Sequence, residues 1–103
     1  MKRDKAYYSK RQIRNLILTG NVKITEQARM SAQDNFGWDF DDICNAISAL
    51  PIKACYKSEP RFNNPRIWVD YYRAYGLKGE NVYTHFYVDS DNLIIDSFKD
   101  IYQ

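Results

Sequence analysis

The first half of the chain places apolar residues three or four positions apart, a spacing that predicts amphipathic helices. Ile13, Leu16 and Ile17 show this spacing, and Ser9 precedes them as a residue type that caps helix N-termini. The predicted elements of this half are an edge strand at 4–8, a helix through Leu18 ended by Gly20, a strand at 22–24, a helix at about 26–35 after Thr25, and a helix at about 40–49 between Asp39 and Pro51.

Two of these helices differ in their apolar pattern. The third carries one continuous stripe, whereas the apolar positions of the second are modest. The stripe of the third helix consists of Phe40, Ile43, Cys44, Ile47 and Leu50, and the apolar positions of the second are Ala28, Met30 and Ala32.

The second half alternates apolar and polar residues, which predicts strands. We predict four of them, at about 52–58, 66–75, 81–88 and 92–99, with a tight polar hairpin turn at 89–92. In the third of these strands, Val82 and Phe86 face one side, while Tyr83, His85 and Tyr87 face the other. Helices followed by antiparallel strands indicate a single α+β domain over 1–103, with helices packed on a sheet in two layers.

The hairpin predicted at 52–75 mixes aromatic and basic side chains. Aromatic rings stack on unpaired bases and cations contact phosphates, so this mixture suits single-stranded nucleic acid. A sheet with a solvated basic face explains the same composition equally well. The residues concerned are Lys53, Lys57, Arg61, Arg66 and Arg73 among Tyr56, Phe62, Trp68, Tyr71, Tyr72 and Tyr75.

The composition excludes several classes of protein. No apolar run approaches the ~18 residues of a membrane span, and no signal-peptide core follows the N-terminus, so we expect a cytoplasmic protein. Cys44 and Cys55 show neither a zinc-ligand spacing nor a disulfide framework, and we expect two buried free thiols. His85 is the only histidine, so a histidine-based metal site is not available and we expect no cofactor.

Charge is distributed in blocks along the chain, although the net charge is only +2. Residues 1–29 carry +6 and 51–78 carry +4, while 30–50 and 79–103 carry −4 each. Such blocks favour a dipolar surface, with one side for a polyanion and the other for a basic partner. Simple intermixing of the charges on the folded surface is the alternative.

Short segments spread over nearly the whole chain share a more specific pattern. They are KRQIRNLI at 10–17, GNV at 20–22, DFDDICN at 39–45, YKS at 56–58, IWVDYYR at 67–73, GENVY at 79–83 and SFK at 97–99. In this order they resemble the MqsR family, the mRNA-cleaving toxins of bacterial toxin–antitoxin pairs. Each segment alone is a weak signal, but the ordered set is specific.

The resemblance implies a fold, an activity and a partner. The expected fold is RelE-like, with helices packed on a curved antiparallel sheet. The expected activity is metal-independent endoribonucleolytic cleavage of mRNA at short sites, with the substrate's own 2′-OH as nucleophile. The expected partner is an antitoxin with a zinc-binding domain and a DNA-binding helix-turn-helix domain. The zinc belongs to that antitoxin, and we expect no membrane and no direct DNA contact for the toxin alone.

The resemblance also implies roles for single residues. Lys57 and Tyr83 match the family's active-site lysine and tyrosine, and Arg73 and Lys99 match basic positions expected to hold phosphate. Tyr56 is placed to stack a base. The plain alternatives are that Lys57 is one more exposed strand lysine and that Tyr83 only packs.

One position departs from the family pattern. The family has a glutamine where this chain has Val69, and valine cannot donate, accept or titrate. His85 lies two residues after Tyr83, hence on the same strand face, and titrates near neutral pH. It is the candidate substitute, against the alternative of an ordinary sheet residue. Glu59 is either a base or a salt-bridge partner of Lys57, and we favour the salt bridge.

Two functions therefore remain open from the sequence, beside a third interpretation, a sheet protein that acts purely as an interaction module and has no RNA affinity. The first is an RNase toxin. The second is a family member with weakened or lost cleavage that binds RNA or a partner protein, which the valine at 69 makes worth testing.

Overall fold

The computed structural model describes residues 2–103 and confirms the predicted α+β fold, in which three helices pack on a five-stranded sheet. From the first helix onward, the predicted order of helices and strands is also confirmed. The elements are α1 Lys10–Leu18, β1 Val22–Ile24, α2 Glu26–Phe36, α3 Phe40–Ala49, a 3-10 turn Ile52–Ala54, β2 Cys55–Arg61, β3 Asn64–Leu77, β4 Glu80–Asp89 and β5 Asn92–Asp100. None of the helices in this described part of the chain has the length and apolarity needed to cross a bilayer.

The sheet has the strand order β1-β5-β4-β3-β2. β2 to β5 are joined antiparallel, and β1 is added parallel to β5 at the far edge. The core lies between the helices and one face of the sheet. Its fully buried side chains include Ile43 of α3, Phe86 of β4 and Phe98 of β5. This packing leaves the other face of the sheet without a helical layer.

The helix starts follow the predicted caps. The Ser9 hydroxyl accepts from the Gln12 N–H at 3.1 Å, and the Thr25 hydroxyl accepts from the Ala28 N–H at 3.2 Å. At α3, Asp39 accepts from the backbone of Asp42 at 2.9 Å and donates its own N–H to the Asp42 carboxylate at 3.1 Å. These contacts pair N–H groups that a helix start otherwise leaves free.

The edge strand predicted at 4–8 is wrong. Only Arg3 forms a bridge, with Ser58 of β2. The N–H of Tyr7 and the N–H of Tyr8 instead donate to the buried carboxylate of Asp70, at distances of 2.9–3.1 Å and 3.0 Å. A side chain thus takes the donors that a strand would have offered to its neighbour.

Three further expectations need correction. Residues 52–54 form a 3-10 turn rather than a strand, because the Ala54 N–H bonds back to the Pro51 carbonyl. Phe40 and Met30 are 42% and 58% exposed, so neither helix uses these residues in the core. The β2–β3 turn is also shorter than predicted, since pairing continues to Arg61↔Asn64.

Other local predictions are confirmed. Ser90 and Asp91 both have positive φ, at 51° and 63°, as a two-residue hairpin turn requires. Cys44 and Cys55 are buried and free. Burial raises the pKa of each thiol to about 11, so both are unreactive at neutral pH.

Candidate active site

The sheet surface turned away from the helices, which we call the open face, carries aligned rows of polar and aromatic side chains. Across the middle of the sheet, Lys57 of β2 pairs with Tyr71 of β3, which pairs with His85 of β4, which pairs with Ser97 of β5. Side chains directly opposite one another in a sheet are neighbours. One row therefore brings an amine, a phenol and an imidazole together.

A second row lies two residues along the strands. Arg73 of β3 pairs with Tyr83 of β4, and Tyr83 pairs with Lys99 of β5. The Arg73 guanidinium lies 4.2 Å from the ring centroid of Tyr56, and the Lys99 ammonium lies 5.5 Å from that of Tyr83. Two cations therefore flank the tyrosine of this row.

Two bulges bring additional side chains to these rows. On β2, Cys55 pairs with Tyr72 and Lys57 with Tyr71, so Tyr56 is an extra residue. On β5, the register shifts between His85 and Phe86, which leaves Asp96 as an extra residue beside His85. A bulge redirects the side chain it carries, and bulges are frequent next to active sites.

His85 is the centre of the hydrogen-bond network. Its Nδ1 lies 2.7 Å from the Tyr83 hydroxyl, and its Nε2 lies 3.4 Å from a carboxylate oxygen of Asp96. The ring of Tyr71 lies 5.1 Å away, centroid to centroid. These contacts fit a neutral imidazole whose Nε2–H points to the carboxylate and whose Nδ1 accepts from the phenol.

Burial sets the protonation states at this centre. Burial lowers the pKa of His85 below its ordinary value, an effect that Asp96 partly opposes. Burial also raises the pKa of Tyr83, with smaller contributions from the neighbouring Tyr56 and Tyr71. At pH 7 the pair therefore consists of a neutral imidazole and a protonated phenol.

Lys57 is held by two neighbours on the open face. Its Nζ lies 3.3 Å from a carboxylate oxygen of Glu59 and 4.4 Å from the ring centroid of Tyr71. The expected salt bridge with Glu59 is thus present. The Lys57 side chain is 28% exposed, so these two neighbours cover most of it.

Val69 lies on β3 opposite Glu59 and is 5% exposed. Two residues before Tyr71 on the same strand face, its side chain is buried at the open face and adds no polar atom to the site. Where the resemblance implies a glutamine, this chain therefore has an apolar residue, and the imidazole of His85 lies one row away.

All six residues predicted for the site lie in these two rows and their bulges. The structure adds Tyr71, Asp96 and, one row further, Arg61, whose guanidinium lies 4.3 Å from the Tyr87 ring centroid. The sequence could have indicated Tyr71, because it lies two residues before Arg73 and therefore on the same strand face. No sequence signal was available for Asp96, because its position depends on a bulge. The six predicted residues are Tyr56, Lys57, Arg73, Tyr83, His85 and Lys99.

A known protein family matches nearly the whole chain. Residues 5–100 match the model of the family described as "Motility quorum-sensing regulator, toxin of MqsA". The chain belongs to this family of toxins, as its sequence segments had indicated. A curated relative, the "mRNA interferase toxin MqsR" of Escherichia coli (strain K12), is 38% identical over 89 residues, which cover 86% of this chain and 88% of that protein.

Proposed function

We propose that this chain is a toxin whose open face cleaves mRNA as a metal-independent endoribonuclease. The observation that carries the proposal is the contiguous set of Lys57, Tyr83 and His85 in a sheet face without a helical layer. The mRNA-cleaving activity in the relative's name supports the same substrate. The side chains present supply every group that cleavage by the 2′-OH requires.

The reaction needs three services from the protein. The 2′-OH must lose its proton as its oxygen attacks phosphorus, the phosphate must be stabilised as charge builds, and the leaving 5′-oxygen must gain a proton. We assign proton removal to the Tyr83–His85 pair, because its neutral imidazole can receive the phenol proton as Tyr83 takes one from the 2′-OH. We assign protonation of the 5′-oxygen to the Lys57 ammonium.

The second row holds the substrate in this proposal. Arg73 and Lys99 flank Tyr83 and contact phosphate oxygens, with arginine able to make two parallel hydrogen bonds. Tyr56 is half-buried at its bulge, where its ring stacks on a base. Arg73 already covers that ring at 4.2 Å, so base and guanidinium share one stacked arrangement.

The experiment uses a defined mRNA and the purified chain with EDTA present. We expect cleavage in EDTA, products with 2′,3′-cyclic phosphate and 5′-hydroxyl ends, and a loss of about 10²–10⁴-fold in Lys57→Ala. Lys53→Ala is the matched control, because Lys53 is an exposed lysine of the 3-10 turn before β2. Cleavage abolished by EDTA, or equal in Lys57→Ala and control, would contradict the proposal.

A substrate with one 2′-deoxy nucleotide tests the nucleophile directly. Removing the 2′-OH at a mapped cleavage site leaves no attacking oxygen, so we expect cleavage to stop there and to continue at other sites. Continued cleavage at the substituted position would show that water attacks instead.

A second candidate function is RNA or partner binding without cleavage, which the apolar Val69 favours. It predicts RNA affinity in wild type, no cut products, and recovery of cleavage in Val69→Gln. The cleavage assay in EDTA separates the two functions, because only an RNase toxin produces fragments with cyclic phosphate ends.

We also propose a neutralising antitoxin, with a zinc-binding domain and a helix-turn-helix domain, as the protein partner. The family description as "toxin of MqsA" supports a protein partner, and the two domains are those that the sequence resemblance implies. Its basic surface docks on the exposed acids of α3 or on those near the C-terminus. Asp41 is the better probe of α3, because Asp39 and Asp42 form the capping box. Lower antitoxin affinity in Asp41→Lys, but not in Asp89→Lys, places the contact on α3, and unchanged affinity removes it.

A further inference from the structure

Asp96 is the one carboxylate that contacts His85 within the described residues, and the backbone that holds it is anchored from the helical layer. The Thr25 hydroxyl donates to the Asp96 carbonyl at 3.2 Å, and the Thr25 N–H donates to the Ile95 carbonyl at 3.1 Å. The N-cap residue of α2 thus fixes the bulge of β5. This anchored bulge therefore places the carboxylate beside the imidazole.

We infer that Asp96 is a positioning residue for catalysis, holding His85 in the tautomer and orientation that accept the Tyr83 proton. This inference rests on the proposed RNase function and deepens it. Asp96 does not touch the substrate in this proposal. It acts on the far nitrogen of the ring, 3.4 Å from Nε2, while the phenol lies 2.7 Å from Nδ1.

The chemistry balances through this chain of three side chains. The 2′-oxygen forms a bond to phosphorus, and the bond from phosphorus to the 5′-oxygen breaks. The 2′-OH proton passes to the Tyr83 oxygen while the phenol proton passes to Nδ1 of His85. The imidazolium that forms keeps its Nε2–H on Asp96, and Lys57 supplies the proton to the 5′-oxygen. His85 then loses its extra proton to water, and Lys57 takes up a proton from water, so both return to their starting states.

Among the groups around His85, Asp96 is the one that favours a positively charged imidazole. Lys57 and Lys99 both act against a positive imidazole, and Tyr71 and Tyr83 are neutral phenols. Asp96 is the group that opposes burial and the two lysines. Removing its charge therefore lowers the pKa of His85 further and makes the proton transfer from Tyr83 harder.

The single histidine makes the experiment direct, because its ring nitrogens give the only imidazole signals in a ¹⁵N NMR spectrum. We expect the Nε2–H tautomer in wild type, and in Asp96→Asn a mixed tautomer and a lower pKa of His85. For cleavage we expect kcat to fall about 10-fold or more with little change in KM, because the tautomer is no longer fixed, and the acidic limb of the pH profile to move to lower pH. Asp96→Glu keeps a carboxylate, so we expect smaller changes in tautomer, pKa and kcat than in Asp96→Asn.

Asp91→Asn is the matched control, since it removes the same charge from an exposed hairpin tip where asparagine tolerates the positive φ. We expect no change in tautomer or pH profile for this variant. Unchanged tautomer, pKa and pH profile in Asp96→Asn would overturn the inference while leaving the RNase proposal intact. If wild type cleaves no RNA, the proposed function fails and the role of Asp96 in it fails too. Should Asp96→Asn fail to fold, the wild-type spectrum decides, because an Nδ1–H tautomer of His85 would overturn the inference.

Discussion

At the scale of single residues, the contact between Lys57 and Glu59 predicts how the site receives RNA. In the proposed complex, the leaving 5′-oxygen takes the position beside Nζ that the Glu59 carboxylate occupies at 3.3 Å. RNA must displace it. Because a partly exposed ion pair is worth about 0–1 kcal/mol, replacing Glu59 by neutral glutamine removes a small competitor for the ammonium.

We therefore expect Glu59→Gln to bind RNA up to about 5-fold more tightly than wild type. The affinity is measured by fluorescence anisotropy on an oligonucleotide with a 2′-deoxy nucleotide at the cleavage site, which prevents turnover. Glu80→Gln is the control, since it removes one negative charge at the start of β4, away from Lys57. Weaker binding in Glu59→Gln would instead make Glu59 a contact to the substrate.

At the scale of elements, the sequence predicts what is encoded locally. Ser9, Thr25 and Asp39 cap their helices as predicted, because a cap needs only its own first turn. The alternation on β4 placed Tyr83 and His85 on one face for the same reason. The bulges at Tyr56 and Asp96 and the parallel pairing of β1 depend on register with distant strands, so no local pattern indicates them.

The segment before α1 depends on one side chain of β3. Asp70 is fully buried and accepts the N–H groups of Tyr7 and Tyr8. The Tyr8 hydroxyl donates to the Trp68 carbonyl at 2.6 Å, which ties the same segment to β3 a second time. Without the carboxylate, two backbone donors lose their partners, and unpaired buried donors cost about 1–3 kcal/mol each.

Asp70→Ala is thus expected to lower the free energy of unfolding by about 2–4 kcal/mol, measured by urea denaturation. Asp70→Asn retains one acceptor oxygen in the same shape, so we expect a smaller loss. Asp91→Asn, at an exposed hairpin tip where asparagine tolerates the positive φ, controls for loss of the charge. Equal stability of Asp70→Ala and wild type would show that the segment before α1 is held by other contacts.

At the scale of the whole molecule, the two basic blocks of the sequence lie on different parts of the fold. The first block includes Arg11, exposed on α1 in the helical layer, while the second supplies Lys57 and Arg73 to the open face. Net charge cannot distinguish which block meets RNA, because both attract a polyanion at long range. Salt dependence can, since each phosphate neutralised on a single strand contributes about −0.7 to the slope of log K against log salt.

We expect Arg73→Ala and Lys99→Ala each to reduce the magnitude of that slope by about 0.7, measured with the noncleavable oligonucleotide over a series of salt concentrations. Arg11→Ala is expected to leave the slope unchanged, because RNA on the open face lies on the other side of the sheet from α1. A reduced slope in Arg11→Ala would extend the RNA path around the sheet edge onto the helices. An unchanged slope leaves the basic face of α1 free for a protein partner while the open face holds its substrate.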